Sequence, residues 1–547
     1  MSGVFSPPQP YNEPVKTYAP DTAERASLQE ELKRQEQLTV EAPCVIGGDE
    51  VLTGNTFDRH APHRHDLKLA SAHAAGDEEV KAAIAAARQA KPEWETLAWN
   101  ERASIFLKAA ELISTTRRDL INASTMLGQS KNVQQAEIDA ACELIDFLRF
   151  NVHYYSQIIG TQPDINPSGV WNKVEYRPLE GFVLALTPFN FTAIAGNLPT
   201  APAIGGNTVI WKPSEKQVLS AHYLMQVFRE AGLPDGVINL IHGDGALVSR
   251  VCFDDPGFGG LHFTGNVDVF RGLWKAIGDN VATYNAFPRV VGETGGKDFI
   301  VAHPSADVDS LTTAIVRGAF EYQGQKCSAA SRAYVASSVW SKLRDPVVAT
   351  TSSLAMGDVS DFSNFMGAVI DEAAFRRHQQ WLQRAADDSD LEVVVGGGVD
   401  DSEGWFVEPT VIETSNPDHE IMSTELFGPI ITVFAYEDDR WSETLDLVDS
   451  TSPFALTGAV FSQDRYAVDE ATTRLRHAAG NFYVNDKPTG SVVGQQPFGG
   501  ARASGTNDKA GSSLSLLRWL SMRSIKETMS PPTDHTYPHM GDETDRS

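Results

Sequence analysis

The chain is poor in cysteine. Its 547 residues include only Cys44, Cys142, Cys252 and Cys327, which lie far apart and form no C-x-x-C pair. This pattern predicts neither a disulfide framework nor a cysteine zinc site, and we expect no bound metal. Unpaired thiols are typical of a reducing compartment.

Positive charge is also scarce, because 72 acidic residues outweigh 45 lysines and arginines and give a net charge of −27. Such an excess repels phosphate backbones, so nucleic-acid binding is not expected. No run of about 18 apolar residues predicts a membrane span. The start, M-S-G-V-F-S-P-P-Q-P, lacks the features of a secretory signal. We expect a cytoplasmic location, or the mitochondrial matrix for a eukaryotic chain whose transit peptide has been removed.

Strand-like apolar runs alternate with helical patterns in two blocks, which predicts two doubly wound α/β units. The stretch 160–178 is rich in Pro, Asn and Ser and is interpreted as a hairpin that projects from the body. The predicted boundaries are an N-terminal arm at 1–40, a first unit at 41–157 and 179–294 with a closing segment near 481–505, a second unit at 295–480, a β arm at 158–178 and 506–528, and a disordered acidic tail at 529–547.

The dinucleotide fingerprint G-x-G-x-x-G is absent. Instead, F-T-G-N at 263–266 follows a strand-like run and precedes a helix, whose N-terminus can accept a pyrophosphate. Three polar residues also follow apolar strands, and each has a plainer alternative. Lys212 is a donor to ribose hydroxyls or a solvated lysine. Glu293 is a desolvated general base or a loop glutamate. Asn190 is an oxyanion donor or a turn residue.

Cys327 lies in F-E-Y-Q-G-Q-K-C-S-A-A-S-R, a setting unlike that of the other cysteines. Gly324 permits a turn or a close approach. Lys326 places a positive charge beside the sulfur, which favours the reactive thiolate unless the lysine faces water. Ser328 is small and leaves room for a bound molecule. A small buried hydrophobe is the alternative reading of the cysteine, and these neighbours alone do not exclude it.

Seven short motifs together resemble the aldehyde dehydrogenase family in their order and separations. They are T-P-F-N, W-K-P-S, F-T-G-N, E-T-G-G-K, G-Q-K-C, E-L-F-G-P and P-F-G-G. The resemblance runs from about residue 44 to about residue 528. It implies an α/β fold in which the first unit is a Rossmann-like NAD-binding domain, the second is the catalytic domain, and the β arm serves oligomerisation. It also implies an NAD-dependent oxidoreductase.

The resemblance further assigns roles to single residues. It implies that Cys327 attacks the aldehyde carbon and that Asn190, with a backbone N–H near the sulfur, holds the oxyanion. Glu293 would then activate the water that hydrolyses the thioester. Serine is common in the family at the position of Asn266, so the pyrophosphate contact there departs from the pattern. The residues expected at the cofactor are Thr187, Lys212, Thr264, Gly265, Asn266, Glu425 and Phe427.

Longer stretches are similar to one subgroup of the family, which oxidises glutamate 5-semialdehyde to glutamate in proline catabolism. They include A-E-I-D-A-A-C-E-L-I-D-F-L-R-F-N and T-G-S-V-V-G-Q-Q-P-F-G-G-A-R-A-S-G-T-N-D-K. A glycine-serine turn presents N–H and hydroxyl donors that suit a carboxylate. The implied substrate contacts are Gly490, Ser491 and Ser328 at the carboxylate, Glu143 at the ammonium, and Phe191 and Phe498 along the aliphatic stem.

Alternative functions stay open at this stage. The nearest is another semialdehyde dehydrogenase, such as one that acts on succinate semialdehyde. A cysteine hydrolase or acyltransferase and a non-catalytic scaffold are more distant alternatives. The resemblance implies a homodimer or higher oligomer, a small-molecule substrate, and a separate proline dehydrogenase as a possible partner.

Overall fold

Two seven-stranded sheets form the body of the protein. The structure, a computed structural model, describes residues 5–540. In chain order the strands are β1 (Val40–Ala42), β2 (Cys44–Ile46), β3 (Asp49–Val51), β4 (Thr56–Ala61), β5 (Arg64–His73), β6 (Val170–Pro178), β7 (Phe182–Thr187), β8 (Thr208–Pro213), β9 (Ile238–Leu240), β10 (Phe258–Thr264), β11 (Arg289–Glu293), β12 (Asp298–Ala302), β13 (Ala330–Ala336), β14 (Leu391–Val395), β15 (Val399–Asp400), β16 (Phe406–Val407), β17 (Thr410–Thr414), β18 (Ile430–Tyr436), β19 (Phe454–Ala455), β20 (Thr457–Phe461), β21 (Asn481–Val484), β22 (Ala501–Arg502) and β23 (Leu520–Thr528).

Helices cover both faces of these sheets. The α-helices are α1 (Ala23–Glu36), α2 (Asp77–Thr96), α3 (Trp99–Ser114), α4 (Arg118–Gln129), α5 (Val133–Ala136), α6 (Glu143–Gly160), α7 (Thr192–Ile204), α8 (Val218–Ala231), α9 (Gly245–Phe253), α10 (Val267–Asp279), α11 (Val308–Phe320), α12 (Ser337–Ser352), α13 (Glu372–Asp387), α14 (Trp441–Ser450), α15 (Arg465–Arg474) and α16 (Ser513–Leu517). Short 3₁₀ turns lie at Glu215–Gln217, Glu321–Gly324, Glu420–Met422 and Pro538–Met540, and a π-helical segment at Glu137–Cys142 joins α5 to α6.

The first sheet has the strand order β11-β10-β7-β8-β9-β2-β3. Its first five strands are parallel, whereas β2 and β3 form an antiparallel hairpin at one edge. Every residue of β7 is buried, which agrees with its continuous apolar run. Helices pack on both faces of the parallel strands, so this unit is doubly wound.

The second sheet has the strand order β14-β17-β18-β13-β12-β20-β21. All its strands except the edge strand β14 are parallel. A separate apolar core that includes Phe299, Tyr334 and Ile431 supports it. The predicted doubly wound α/β fold with two units is therefore confirmed.

Two segments are placed differently from the prediction. The stretch 158–178 does not fold back on itself as a hairpin, because β6 pairs antiparallel with β23 along nine residue pairs, from Leu520–Pro178 to Thr528–Val170. The pairing partner lies about 350 residues later, so no local pattern signals it. In addition, β21 pairs with β20, which places the start of the predicted closing segment 481–505 in the second sheet and not in the first.

The ends of the chain lie against the body to different degrees. From residue 5 to residue 22 the chain has no regular structure but docks on the first unit, where Glu13 meets Arg118 and Arg149. Residues 529–540 are exposed. Residues 1–4 of the predicted arm and 541–547 of the predicted tail lie outside the described residues. Between residues 5 and 540, none of the helices has the length and apolarity needed to cross a membrane.

Candidate active site

The carboxyl ends of four neighbouring parallel strands carry polar residues that the sequence singles out. Thr187, Thr264 and Glu293 are the last residues of β7, β10 and β11. Lys212 is the penultimate residue of β8, and Asn190 follows β7 by three residues. Because the carboxyl ends of parallel strands lie at one edge of a sheet, these side chains gather along that edge.

A cavity of about 880 Å³ opens at this edge, and residues of both units line it. Its volume is typical of a small-molecule or cofactor site. Nine of the predicted residues lie on its wall, namely Thr187, Asn190, Lys212, Thr264, Gly265, Asn266, Cys327, Glu425 and Phe427. The structure therefore brings together the predicted nucleophile, the predicted oxyanion donor and all the residues expected at the cofactor.

A strained loop presents Cys327 to this cavity. Tyr322 and Gln323 both have left-handed backbone conformations, with φ of 52° and 53°, and Gly324 follows with φ of 64°. A side chain at Gly324 would collide with the backbone of Gly428, so glycine is required for this close approach. Left-handed conformations at non-glycine residues cost energy and concentrate at functional sites.

The turn after β7 is tied to the cysteine loop. The side-chain amide of Asn190 is buried and donates to the backbone carbonyl oxygen of Gln325 at 3.1 Å. The side-chain oxygen of Gln325 in turn accepts from the N–H of Ile370 at 2.9 Å. Asn190 is therefore held beside Cys327, as its predicted role requires. Gln325 therefore helps to hold the Asn190 side chain. The sequence signals this role of Gln325 only through its position two residues before Cys327.

The Cys327 thiol is surrounded by carboxyl groups. Burial, followed by the charges of Asp298, Glu293 and Glu425, raises the pKa of the thiol well above its usual value. The resting sulfur is therefore protonated. It becomes a good nucleophile only when a base accepts its proton or a donor stabilises the product of its attack.

The ammonium of Lys326 is paired with two carboxylates. It lies 3.3 Å from the carboxylate of Glu321 and 3.9 Å from that of Asp139, and the side chain is buried. The alternative that Lys326 faces water is therefore wrong, whereas its effect on the thiolate stays a prediction. The lysine is committed to a buried ion-pair network behind the loop.

Glu293 has the properties of a base withdrawn from bulk water. One carboxylate oxygen, Oε2, accepts a hydrogen bond from the N–H of Gly500 at 3.0 Å. Burial is the main cause that raises the pKa of Glu293, to about 8, while the Gly500 hydrogen bond and the charge of Lys509 lower it. A carboxyl group with a pKa near neutrality can accept and release a proton under ordinary conditions.

Two buried ionisable residues near Cys327, Lys297 and Asp298, were not among the predicted site residues. Lys297 and Asp298 follow Glu293 in the motif E-T-G-G-K-D, which was the available signal. Asp298 accepts a hydrogen bond from the N–H of Thr457 at 2.7 Å, and burial raises its pKa well above the usual value. Burial lowers the pKa of Lys297 to about 7. Glu425, whose pKa burial raises to about 7, accepts from the N–H of Gly296 at 3.0 Å and completes this buried group.

Asn266 caps the helix that borders the cavity. Its side-chain oxygen accepts from the backbone N–H groups of Asp268 at 2.8 Å and Val269 at 3.2 Å, so it is the N-cap of α10. Serine and asparagine are both good N-caps. The departure from the family's serine therefore preserves the local structure, and the positive end of the helix dipole still faces the cavity.

The predicted substrate loop lies against the cysteine loop. The hydroxyl groups of Ser328 and Thr489 are 2.8 Å apart, which places Gly490 and Ser491 beside the residue that follows the nucleophile. Gly490 has φ of 96°, a conformation that favours glycine. Phe498 lies beside the peptide that binds Glu293 and forms two backbone hydrogen bonds with Ala510.

Glu143 begins α6, directly after the π-helical segment. Burial and the neighbouring Asp139 raise its pKa to about 8. A buried lysine, Lys131, binds Asp139 at 2.7 Å, and its ammonium lies 4.3 Å from the centre of the Phe191 ring. Phe191 therefore adjoins both Asn190 and this charged group. The sequence reasoning did not identify Lys131 and Asp139. Asp139 lies in the π-helical segment Glu137–Cys142, whose geometry no simple pattern predicts.

The chemistry available at this site is defined by its groups. A thiol and an amide donor line the large cavity, the charge of the Glu293 carboxyl group acts on that thiol, and a loop rich in N–H and hydroxyl donors lies beside them. Such an arrangement can form a covalent adduct at a carbonyl carbon, stabilise its oxyanion and hydrolyse the resulting acyl group.

The family model described as "Aldehyde dehydrogenase family" matches residues 51–525. Among curated proteins, the probable delta-1-pyrroline-5-carboxylate dehydrogenase of Schizosaccharomyces pombe is 52% identical over 539 residues, 98% of each chain. The human protein named delta-1-pyrroline-5-carboxylate dehydrogenase, mitochondrial, is 48% identical over 530 residues, 97% of this chain and 94% of its own. Among solved structures, the Mycobacterium tuberculosis delta-pyrroline-5-carboxylate dehydrogenase bound with NAD is 54% identical, has a TM-score of 0.96, and is matched over 99% of this chain and 100% of its own.

Proposed function

The chain belongs to the aldehyde dehydrogenase family, and we propose that Cys327, Asn190 and Glu293 carry out its reaction. The function is the NAD-dependent oxidation of L-glutamate 5-semialdehyde, which is in equilibrium with Δ1-pyrroline-5-carboxylate, to L-glutamate. This is the last oxidation of proline catabolism. The similarity to dehydrogenases of this substrate over almost the whole chain, at about half identity, is the observation that carries the assignment.

Cys327 forms the bond to the substrate. As its sulfur adds to the aldehyde carbon, the thiol proton passes to solvent in the cavity, and the carbonyl oxygen gains the negative charge. An asparagine amide has two N–H donors. One N–H of Asn190 binds the Gln325 carbonyl and fixes the amide, and we assign the other to the oxyanion. A donor that is already in place needs no reorganisation when the charge develops.

The residues of the large cavity fit NAD. Lys212, Glu425, Phe427 and the N-terminus of α10 all line this cavity, and they supply a cation, a carboxyl group, an aromatic ring and a helix N-terminus for the parts of a dinucleotide. Lys212 and Glu425 would hold ribose hydroxyls, the N-terminus of α10 would face the pyrophosphate, and Phe427 would pack beside the nicotinamide. When bound, NAD accepts the hydride of the substrate carbon.

Glu293 completes the reaction by hydrolysis. The oxidised substrate is held on Cys327 as a thioester, and water must attack its carbonyl carbon. The Glu293 carboxylate takes a proton from that water, the C–S bond breaks, and the thiolate leaves as the carboxylic acid forms. The pKa of Glu293, raised by burial, suits it to this proton transfer.

Substrate selection is assigned to the loop beside Ser328. Backbone N–H groups at Gly490 and Ser491, with the hydroxyls of Ser491 and Ser328, would bind the substrate's carboxylate, and Glu143 would face its ammonium. Phe191 and Phe498 would flank its aliphatic stem. A site that satisfies both charges leaves buried groups unpaired when a substrate lacks one of them, which gives strong discrimination.

The remaining assignments concern assembly and location. The ribbon of β6 and β23 exposes Trp171 and Met522, and its apolar side chains support a role in forming a homodimer or higher oligomer. We further propose that a separate proline dehydrogenase supplies the substrate. We also propose that the protein is located in the cytoplasm, or in the mitochondrial matrix of a eukaryote; the name of the human relative calls that protein mitochondrial.

The decisive experiment compares substrates. NADH formation should show a much higher kcat/KM with pyrroline-5-carboxylate than with succinate semialdehyde. A preference for succinate semialdehyde would refute the assignment. The variant Cys327→Ala should form no NADH with either substrate, and a fully active Cys327→Ala enzyme would refute the mechanism.

A further inference from the structure

Lys509 and Glu293 bind the two ends of one peptide group. The ammonium of Lys509 donates to the carbonyl oxygen of Gly499 at 3.0 Å. The N–H of Gly500 donates to Oε2 of Glu293 at 3.0 Å. That carbonyl and that N–H belong to the same planar peptide unit. A cation on the oxygen polarises the peptide and strengthens the hydrogen bond that its N–H gives to the carboxylate.

The fold holds the Lys509 ammonium in this position. It also donates to the carbonyl oxygen of Gly480 at 2.8 Å, and the amide oxygen of Asn481 lies 3.4 Å away. The backbone of Lys509 is left-handed, with φ of 57°, which is uncommon for lysine. The paired hydrogen bonds between Phe498 and Ala510 fix the strand-like segments on either side. Strain of this kind persists only where the surroundings impose it.

Glycines make the close packing around this peptide possible. A side chain at Gly480 would collide with the carbonyl of Gly499, and one at Gly499 would come within 3.1 Å of the Glu293 carboxylate. A side chain at Gly500 would collide with Ser504. The peptide is therefore confined between the lysine and the glutamate, with no room for another group.

Three ionisable groups face Glu293. Lys509 favours its charged form, whereas Asp508 opposes it. The third is the thiol of Cys327, whose pKa the Glu293 charge raises. The negative charge of Asp508 is partly compensated, because its carboxylate accepts a hydrogen bond from the hydroxyl of Thr506 at 2.5 Å and lies 3.2 Å from the guanidinium of Arg518. Lys509 is thus the one cation among the described groups that act on this carboxyl.

We propose that Lys509 is a positioning residue for Glu293, which holds the carboxyl group in place through the Gly499–Gly500 peptide and favours its ionised state. The inference rests on the proposed role of Glu293 as the base of thioester hydrolysis. It assigns a purpose to the N-D-K sequence at 507–509, which lies outside the nucleophile, cofactor and substrate motifs.

The test compares Lys509→Met and Lys509→Gln with Lys509→Arg. Without the charge, Glu293 needs a higher pH to ionise, so the acid limb of kcat should move up by roughly 0.5–1 pH unit in the Met and Gln variants. Glutamine keeps a donor for Gly499 and serves if the methionine variant does not fold. Arginine keeps the charge and should restore most of the wild-type profile. Lys81→Met, which removes an exposed lysine paired with Glu78, is the matched control and should leave the profile unchanged.

A second readout locates the affected step. At pH values below the acid limb of the kcat profile, Lys509→Met should accumulate the thioester on Cys327, which is detected by intact mass after acid quenching. The rate at which the first equivalent of NADH forms should stay the same. An unshifted acid limb in both neutral variants, or an arginine variant as impaired as methionine, would overturn the inference. Glu293→Gln is measured in parallel. If it turns over normally, the proposed base is wrong, and this result is distinct from a failure of Lys509 alone.

Discussion

Asn190 donates its side-chain N–H to the carbonyl oxygen of Gln325 at 3.1 Å, and this bond joins the two units at the nucleophile. Asn190 follows a strand of the first sheet, whereas Gln325 lies in the second unit, in the loop between α11 and β13. The contact therefore sets the position of the oxyanion donor relative to the sulfur. It also means that a change at Asn190 affects both the donor and the loop.

Asn190→Ala should lower kcat by about 10²–10³-fold, because one preorganised donor to the oxyanion is lost. The affinity for NAD, measured by quenching of protein fluorescence, should change little, since the amide is assigned to the reacting carbonyl. Asn190→Asp is a useful companion, because it keeps the shape but places a second negative charge beside the oxyanion. A kcat of Asn190→Ala within a few-fold of the wild type would contradict the assignment.

Glu293→Gln should separate the two halves of the reaction. Glutamine cannot take a proton from water, so the variant should release one equivalent of NADH per active site and then stall as the thioester. In the wild type, the base works when it is deprotonated, so kcat should rise with pH through about 8, the pKa of Glu293. Rapid-mixing absorbance measures the burst. A variant with no burst at all would place Glu293 before hydride transfer instead.

Ser491→Ala should weaken binding of the substrate carboxylate. A hydrogen bond to a charged group contributes about 1.5–3 kcal/mol, which corresponds to a rise in KM of roughly 10–100-fold. The alkylation rate of Cys327 by iodoacetamide should stay the same, because the sulfur and its neighbours are unchanged. Ser328→Ala should have a smaller effect on KM, since its hydroxyl is shared with Thr489. Unchanged KM values in both variants would contradict the proposed carboxylate site.

The sequence predicted the parts of the site that follow local rules. Glu293 and Lys212 come at the ends of apolar strands, and parallel strands bring such ends together wherever they lie in the chain. The direction in which a side chain points was not predictable in the same way. Lys326 is adjacent to Cys327, yet its ammonium lies near the buried carboxylate of Asp139 and the half-buried carboxylate of Glu321, because a buried charge requires a partner.

Pairings between distant segments do not follow from local patterns. The composition of 160–178 suggested a local hairpin, and only the family resemblance grouped this stretch with 506–528, where its partner β23 lies. The bond of Lys509 to the Gly499 carbonyl depends on a left-handed backbone at a lysine. No residue preference signals such a conformation, since it is imposed by tertiary contacts.

Arg118→Met should test how the N-terminal arm is held. The Arg118 side chain is 1% exposed, forms an ion pair with the fully buried Glu137, and binds Glu13 of the arm. Because removing one member of a buried ion pair leaves the other charge buried and unpaired, the variant should lose about 3–5 kcal/mol of stability. Chemical denaturation monitored by tryptophan fluorescence measures the loss. Arg440→Met, which breaks an exposed pair with Glu443, is the control and should change stability far less.

The double variant Arg118→Met with Glu137→Met tests whether the unpaired charge of Glu137 causes the loss of stability. If the unpaired buried charge accounts for most of the loss in unfolding free energy, removing both charges should recover part of that loss, since an apolar pair in a buried site is often tolerated. The hydroxyl of Tyr18 and the amide of Asn122 also donate to Glu137, at 2.9 and 2.8 Å, so recovery should be incomplete. A double variant less stable than Arg118→Met would show that these neutral hydrogen bonds, and not the ion pair, anchor the arm to the first unit.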